Sequence, residues 1–234
     1  MINLDAERSL TRRLARFPFR GRFALLFVFL LSSIVIYPYA ESSGLGYYAF
    51  RVVGTIIILL TVYAVTFSRG LAVLVILLAI PSILQHLLFQ PHTQGVLPFV
   101  NRMLSLSFDL LIIGIISGHI FRIKKPNSET IFGALCIYLL LGFMFAGVYA
   151  AIFSLHANAF YLSPAGNLNV YPDRFDFIYF SFGTLTELGT PGMLAVAPVA
   201  KSVSLLEAIL GILFMAVLIS RLINAYRAFE APEE

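Results

Sequence analysis

The sequence predicts an all-α membrane protein with six transmembrane helices and a re-entrant helix and loop between the fifth and sixth. Three observations predict it. Hydrophobic residues make up 59% of the 234, mean hydropathy is +0.91 and charged residues are only 12%, against roughly 25% in soluble domains. Apolar runs of about 20 residues, the length that crosses a bilayer, recur along the chain. Finally, residues 179–192 (YFSFGTLTELGTPG) lie between two of the strongest runs, yet are too short and too polar at their end to span. A half-span ending in Thr, Glu, Gly and Pro is the pattern of a re-entrant pore loop, where backbone oxygens and side chains meet an ion rather than lipid.

The six spans run over residues 23–39, 50–67, 71–89, 103–121, 131–155 and 202–226. The third is the weakest, interrupted by Pro81, Gln85 and His86. Proline inside a membrane helix is tolerated where neighbours re-satisfy the freed carbonyl, so a kink is expected there. The chain divides into a basic N-terminal segment (1–22), a four-span domain (23–125), a pore domain of outer helix, pore loop and inner helix (126–229), and a short tail (230–234).

Orientation follows from Lys and Arg. With the N-terminus in the cytoplasm, that side holds Arg8, Arg12, Arg13, Arg16, Arg20, Arg22, Arg69, Arg122, Lys124, Lys125, Arg221 and Arg227. The outer side holds Arg51, Arg102, Arg174 and Lys201. The asymmetry predicts a multi-pass protein of the cell (inner) membrane with both termini cytoplasmic. Topology accounts for the pI near 9.3, which therefore carries no expectation of a nucleic-acid partner. Tyr37-Pro-Tyr-Ala40 superficially offers a signal cleavage site, but the apolar run exceeds the usual length of about 7–15 residues. Proline also stands third before the cut, so an uncleaved first span is expected. Ahead of it, Leu4, Leu10, Leu14 and Phe17 alternate with arginines, as in an interfacial helix on an anionic leaflet; a basic tail without structure is the alternative.

Reaction chemistry is missing from the pattern. His86, His92, His119 and His156 are scattered, with no metal-ligand spacing, and Cys136 reads as a small packing residue. There is no phosphate loop, nucleophile elbow or catalytic carboxylate pair, so neither an enzyme nor a cofactor is expected.

The C-terminal third carries the function. An outer connection, 157–171, is rich in Asn, Gly, Pro and Ser, as an exposed loop should be. Asp173-Arg-Phe-Asp176 then opens the apolar segment 177–185, with carboxylates where a helix start favours them. A helix of roughly 10–12 residues goes halfway into a bilayer. Its negative dipole end aims at the midplane, which favours a cation there.

Tyr179-Phe-Ser-Phe-Gly-Thr-Leu-Thr186, then Ala197-Pro-Val-Ala-Lys-Ser202 and the run from Leu205 to Arg221, resemble the pore module of bacterial potassium-channel-family proteins, without a gap from about residue 176 to residue 221. The resemblance implies a homotetramer around the last two spans, surrounded by membrane lipids and passing inorganic cations. In that family the pore helix ends in Thr-Leu-Thr-Thr and continues as Leu/Val-Gly-Tyr-Gly-Asp. Carried over by position, the filter is Thr186, Glu187, Leu188, Gly189, Thr190, Pro191 and Gly192. Glutamate replaces the threonine of the innermost site, Thr190 the tyrosine and Pro191 the second glycine. A φ locked near −65° denies that glycine's freedom, so four stacked carbonyl rings are not expected. The expectation is passive cation conduction that is not strictly potassium-selective. A potassium channel with a variant filter, and a non-conducting membrane scaffold or regulatory subunit, are the alternatives.

Four copies of Glu187 would form a carboxylate ring, the usual device of sodium, calcium and non-selective cation pores. In the other reading Glu187 turns away and accepts hydrogen bonds behind the filter. Gly211 matches the inner-helix glycine where such helices bend, with Met215 one turn below as a gate residue; helix packing is the other reading of the glycine. Glu207 is expected to hydrogen-bond the pore-loop surround. Asp109, inside the fourth span, is expected to pair with Arg102 or Arg51. Gly114-Ile-Ile-Ser-Gly118 fits a small-xxx-small helix contact. No arginine lies between Met103 and Phe121, so steep voltage gating is not expected.

Overall fold

The computed structural model describes residues 21–42, 44–65, 69–88, 96–123, 128–164 and 171–230. The basic segment up to residue 20, Lys124, Lys125, His92, loop residues 165–170 and the tail from 231 lie outside the described residues, as do the side chains of Arg51, Arg69, His86 and Arg227. In chain order come α1 (Arg22–Ser42), α2 (Gly44–Val65), α3 (Arg69–Leu88), α4 (Val96–Arg122), α5 (Ser128–Leu155), β1 (Phe160–Leu162), α6 (Arg174–Leu185), β2 (Met193–Ala195) and α7 (Pro198–Glu230).

Three helices are long and apolar enough to cross a membrane: Val100–Arg122, Ser128–Leu155 and Pro198–Ile223. Shorter apolar helical stretches cover Arg22–Ile36, Val52–Val65 and Val73–Leu84. The surface fits a membrane. Val28, Leu31, Val35, Val73, Ile76, Leu77 and Ile80 are all exposed, far more apolar surface than a water-soluble monomer leaves open. Pro81 sits inside α3 without ending it. Beside it, Ser82 Oγ bonds Leu78 O at 3.4 Å and Asn101 Nδ2 of α4 bonds Pro81 O at 3.1 Å, so polar side chains serve the backbone around the proline.

Helices α1 to α4 pack each on the next, and α5 closes the group by packing on α1 and α4. Leu26, Ala64, Val65, Val75, Ile112, Ile116 and Cys136 are fully buried there. At the end holding the start of α1, Glu129 of α5 accepts hydrogen bonds from the amides of Gly21 and Phe23. Cys136 is indeed a packing residue, its Sγ 3.3 Å from Phe23 O.

A second core joins α5, α6, α7 and the strands. Tyr149, Phe160, Phe177 and Phe180 meet mostly edge to face, with Tyr149 and Phe180 centroids 4.9 Å apart, the preferred aromatic geometry. The connection after α5 is not simply an exposed loop, because Ala159 and Phe160 are buried. Strand β1 pairs antiparallel with β2, Tyr161 opposite Leu194, so a small ribbon interrupts the all-helical plan. Nor do Gly114 and Gly118 make a close helix contact: a Cβ added at either would meet nothing within 4 Å. Close approaches fall instead at Gly133, against Ile120, at Gly142, against the Phe182 ring, and at Gly147, against Leu106.

Candidate functional site

Helix α6 begins three residues before the apolar segment that announces it. Asp173 is its N-cap: its Oδ1 accepts the Asp176 amide at 2.8 Å, and Asp176 Oδ2 accepts the Asp173 amide at 2.8 Å. This reciprocal capping box satisfies two otherwise orphaned donors. Burial pushes the Asp176 carboxyl above its ordinary pKa, opposed by the hydrogen bond from the Asp173 amide. The helix has 12 residues, about 18 Å at 1.5 Å per residue, little more than half the hydrocarbon thickness.

Polar contacts fasten α6 between α5 and α7. Ser181 Oγ donates to Gly142 O of α5 at 2.7 Å and also hydrogen-bonds Glu207 of α7. The other Glu207 oxygen accepts Tyr149 OH of α5 at 2.5 Å. Ser181 and Glu207 are both 0% exposed, so this network is a junction of three helices, as expected for Glu207. Tyr138 OH of α5 donates to Leu185 O at 3.2 Å. Gly211 of α7 lies against the same carbonyl, where an added Cβ would stand 2.3 Å from Leu185 O.

The end of α6 differs from the sequence expectation. Its last carbonyls are already partnered: Phe182 O by the Thr186 amide and hydroxyl, Gly183 O by the Gly189 amide, Thr184 O by the Glu187 amide, and Leu185 O by Tyr138. A bare negative helix end aimed at a cation is therefore not what the chain presents. In the loop that follows, the side chains of Thr186, Glu187 and Leu188 are exposed.

All seven filter positions read from the sequence, Thr186 to Gly192, lie together in this loop. Glu187 has φ +58° and is the sole non-glycine residue with positive φ among those described. Its amide bonds Thr184 O at 3.2 Å, the position of a helix C′ residue, normally glycine. The Glu187 side chain is exposed and makes no hydrogen bond among the described residues; Leu188 is 77% exposed. Gly189 (φ +82°) turns the chain back onto Gly183, whose missing Cβ leaves room for Thr190 Cγ2 and Gly189 O. Thr190 Oγ1 bonds Met193 O at 3.1 Å. The chain leaves through Pro191 and Gly192 to β2, with Ser163 N bonded to Gly192 O at 2.9 Å.

Alongside, α7 buries a single stripe, with Ala200, Glu207 and Gly211 inside and Phe214 half-buried. Leu205, Leu206, Ile209, Leu210, Ile212, Leu213, Met215 and Val217 stand exposed. Gly211 is buried against α6, whereas Met215, one turn further on and on nearly the same side of the helix, is 40% exposed.

Of the two partners expected for Asp109, the Arg51 side chain lies outside the described residues and Arg102 is engaged elsewhere. Arg102 turns to α5, bonding Ala150 O at 2.8 Å and Ser154 Oγ at 3.2 Å, not to Asp109. The Asp109 carboxylate has no hydrogen bond or ion pair among the described residues. It lines a cavity of about 240 Å³ with Ser82, Ser105, Arg102 and Arg174. Arg102 and Asp109 stand two turns apart on α4, and Arg102 is taken up by the acceptors that α5 presents.

Tyr138, Tyr149 and Ser181, which make these contacts, were not among the residues expected from the sequence. Tyr138 and Tyr149 are eleven residues apart, which is one face of a helix, and polar groups on one face of an apolar span were the available signal. Among the described residues no group of three or more His, Cys, Asp or Glu side chains stands where a metal could be held. Compared with family models, curated proteins and solved structures, the chain matches none.

Proposed function

We propose that four copies of this chain assemble around α5, α6 and α7 as a passive cation-conducting pore. The protein would cross the cell membrane six times, with both termini in the cytoplasm. The observation that carries the reading is Glu187. An exposed carboxylate, held by a strained backbone at the tip of a half-membrane helix, is costly in a membrane unless it has a partner or a task. A ring of four such groups gives it one, attracting cations to a constriction. The uncovered apolar surface of α7 supports the reading, because lining helices of a shared pore must meet other copies rather than their own chain.

The loop also favours weak discrimination between cations. The Glu187 and Gly189 amides turn back to α6, and Pro191 has a fixed φ. A straight column of carbonyl oxygens is then replaced by carboxylates and hydroxyls, which admit partly hydrated ions.

The test is flux. Protein reconstituted in liposomes is expected to pass sodium as well as potassium, and Glu187→Gln to change the selectivity or the block by divalent cations. Flux strongly favouring potassium would mean a working variant filter. No flux above empty vesicles, or a monomer in mild detergent, would sink the pore reading in favour of a membrane scaffold.

A further inference from the structure

Phe214 of α7 stacks on Tyr138 of α5 with ring centroids 5.7 Å apart. Below it, α7 runs on with Met215, Val217, Ile219, Leu222 and Ile223 exposed. Two turns down, Arg221 reaches across to α4. Its Nη1 donates to Ile120 O at 3.1 Å and its Nη2 to Phe121 O at 3.3 Å, while the guanidinium carbon lies 4.3 Å from the centroid of the Phe121 ring. Because α4 ends at Arg122, both carbonyls belong to its last turn, where the helix's own i+4 amides run out; Ile120 O also accepts the Ile123 amide at 3.2 Å. A cation is favoured at a helix C-terminus, and an aromatic face adds attraction. Only a forked guanidinium can bridge two successive carbonyls and stack at once.

The end of α4 is a firm anchor. Ile120 is buried against Gly133 of α5, where a Cβ added to the glycine would stand 2.6 Å from Ile120 Cδ1. In turn α5 holds the start of α1 through Glu129. Glu207, Phe214 and Arg221 are spaced by seven residues and so share one face of α7. That face is turned to the helix's own chain, opposite the exposed apolar residues.

We propose that Arg221 is a positioning residue, a tether that draws the inner end of α7 toward its own four-helix unit. Given the pore reading above, on which the proposal rests, the tether pulls away from the side where the copies converge and holds the inner mouth open. The four helices α1 to α4, which carry no sensor arginines, then act as a fixed anchor.

The experiment uses the full chain: single-channel recording in planar bilayers, with hydrogen–deuterium exchange of residues 118–123 in nanodiscs. Arg221→Ala is expected to lower open probability by at least about fivefold, the effect of a single ordinary hydrogen bond on a two-state equilibrium, since each of the four copies loses two. Unitary conductance should stay the same, and exchange at 118–123 should rise. Arg221→Lys should restore part of the loss, and Phe121→Leu should produce a smaller one. Open probability unchanged or raised, or a fall in unitary conductance, would overturn the tether. A wild type that passes no current defeats the pore reading instead. The exchange arm then decides alone, and unchanged exchange at 118–123 in Arg221→Ala overturns the contact's role.

Discussion

Glu207 of α7 and Ser181 of α6 are hydrogen-bonded in a site from which solvent is excluded, and Tyr149 of α5 completes the contact. Three helices meet on one carboxyl group with no cation beside it among the described residues. Glu207→Gln keeps an acceptor for Tyr149 and offers a donor toward Ser181, whereas Glu207→Ala leaves the Tyr149 hydroxyl without its acceptor and Ser181 with the Gly142 carbonyl alone. An unsatisfied buried group costs about 1–3 kcal/mol. The alanine variant is therefore expected to melt several degrees below the glutamine variant in detergent. Equal melting temperatures would show that the junction adds no stability.

Gly211 is required by the Leu185 carbonyl. A methyl group there would overlap a backbone oxygen that cannot rotate away, and overpacking of this kind costs about 1–3 kcal/mol. Gly211→Ala should lower thermal stability and displace the loop that begins at Thr186. If instead stability is untouched and only opening kinetics change, the glycine serves as a hinge.

The positive φ of Glu187 separates its backbone role from its charge. A non-glycine residue in that region costs about 1–2 kcal/mol. Glu187→Gly should stabilise the protein by about that amount, and Glu187→Gln should leave stability nearly unchanged. Both remove the carboxylate, so both should alter cation selectivity alike. Unfolding and flux measured on the same two variants check this; a selectivity change in the glycine variant alone would assign the effect to the backbone.

Asp109 faces a cavity without a partner among the described residues. Desolvating an unpaired charge is unfavourable, so Asp109→Asn is expected to raise the melting temperature. A fall would mean that an arginine compensates the carboxylate after all.

Much of the architecture was legible in the sequence because membrane helices are specified locally. Apolar length set α4, α5 and α7, and the carboxylates at Asp173 and Asp176 announced α6 through its cap. The strands escaped because each is three residues long, too short for a period, and each exists only through its partner. Glycine spacing misled at Gly114 and Gly118 because close approach depends on which helix lies opposite. The loop from Thr186 to Gly192 could be placed by its flanks, but the turn at Glu187 could not, since glutamate itself does not favour a positive φ.

The sequence by itself determined the membrane class, the half-length helix and the charged loop that follows it. Hydrophobic length and helix capping act between neighbours in the chain, so the residues themselves reveal them. Only the tertiary structure decided that the end of α6 has its carbonyls occupied, that Glu207 joins three helices, and that Arg102 leaves Asp109 for α5. Each of those outcomes is a competition among distant groups for one hydrogen-bond partner, and relative position in space settles it.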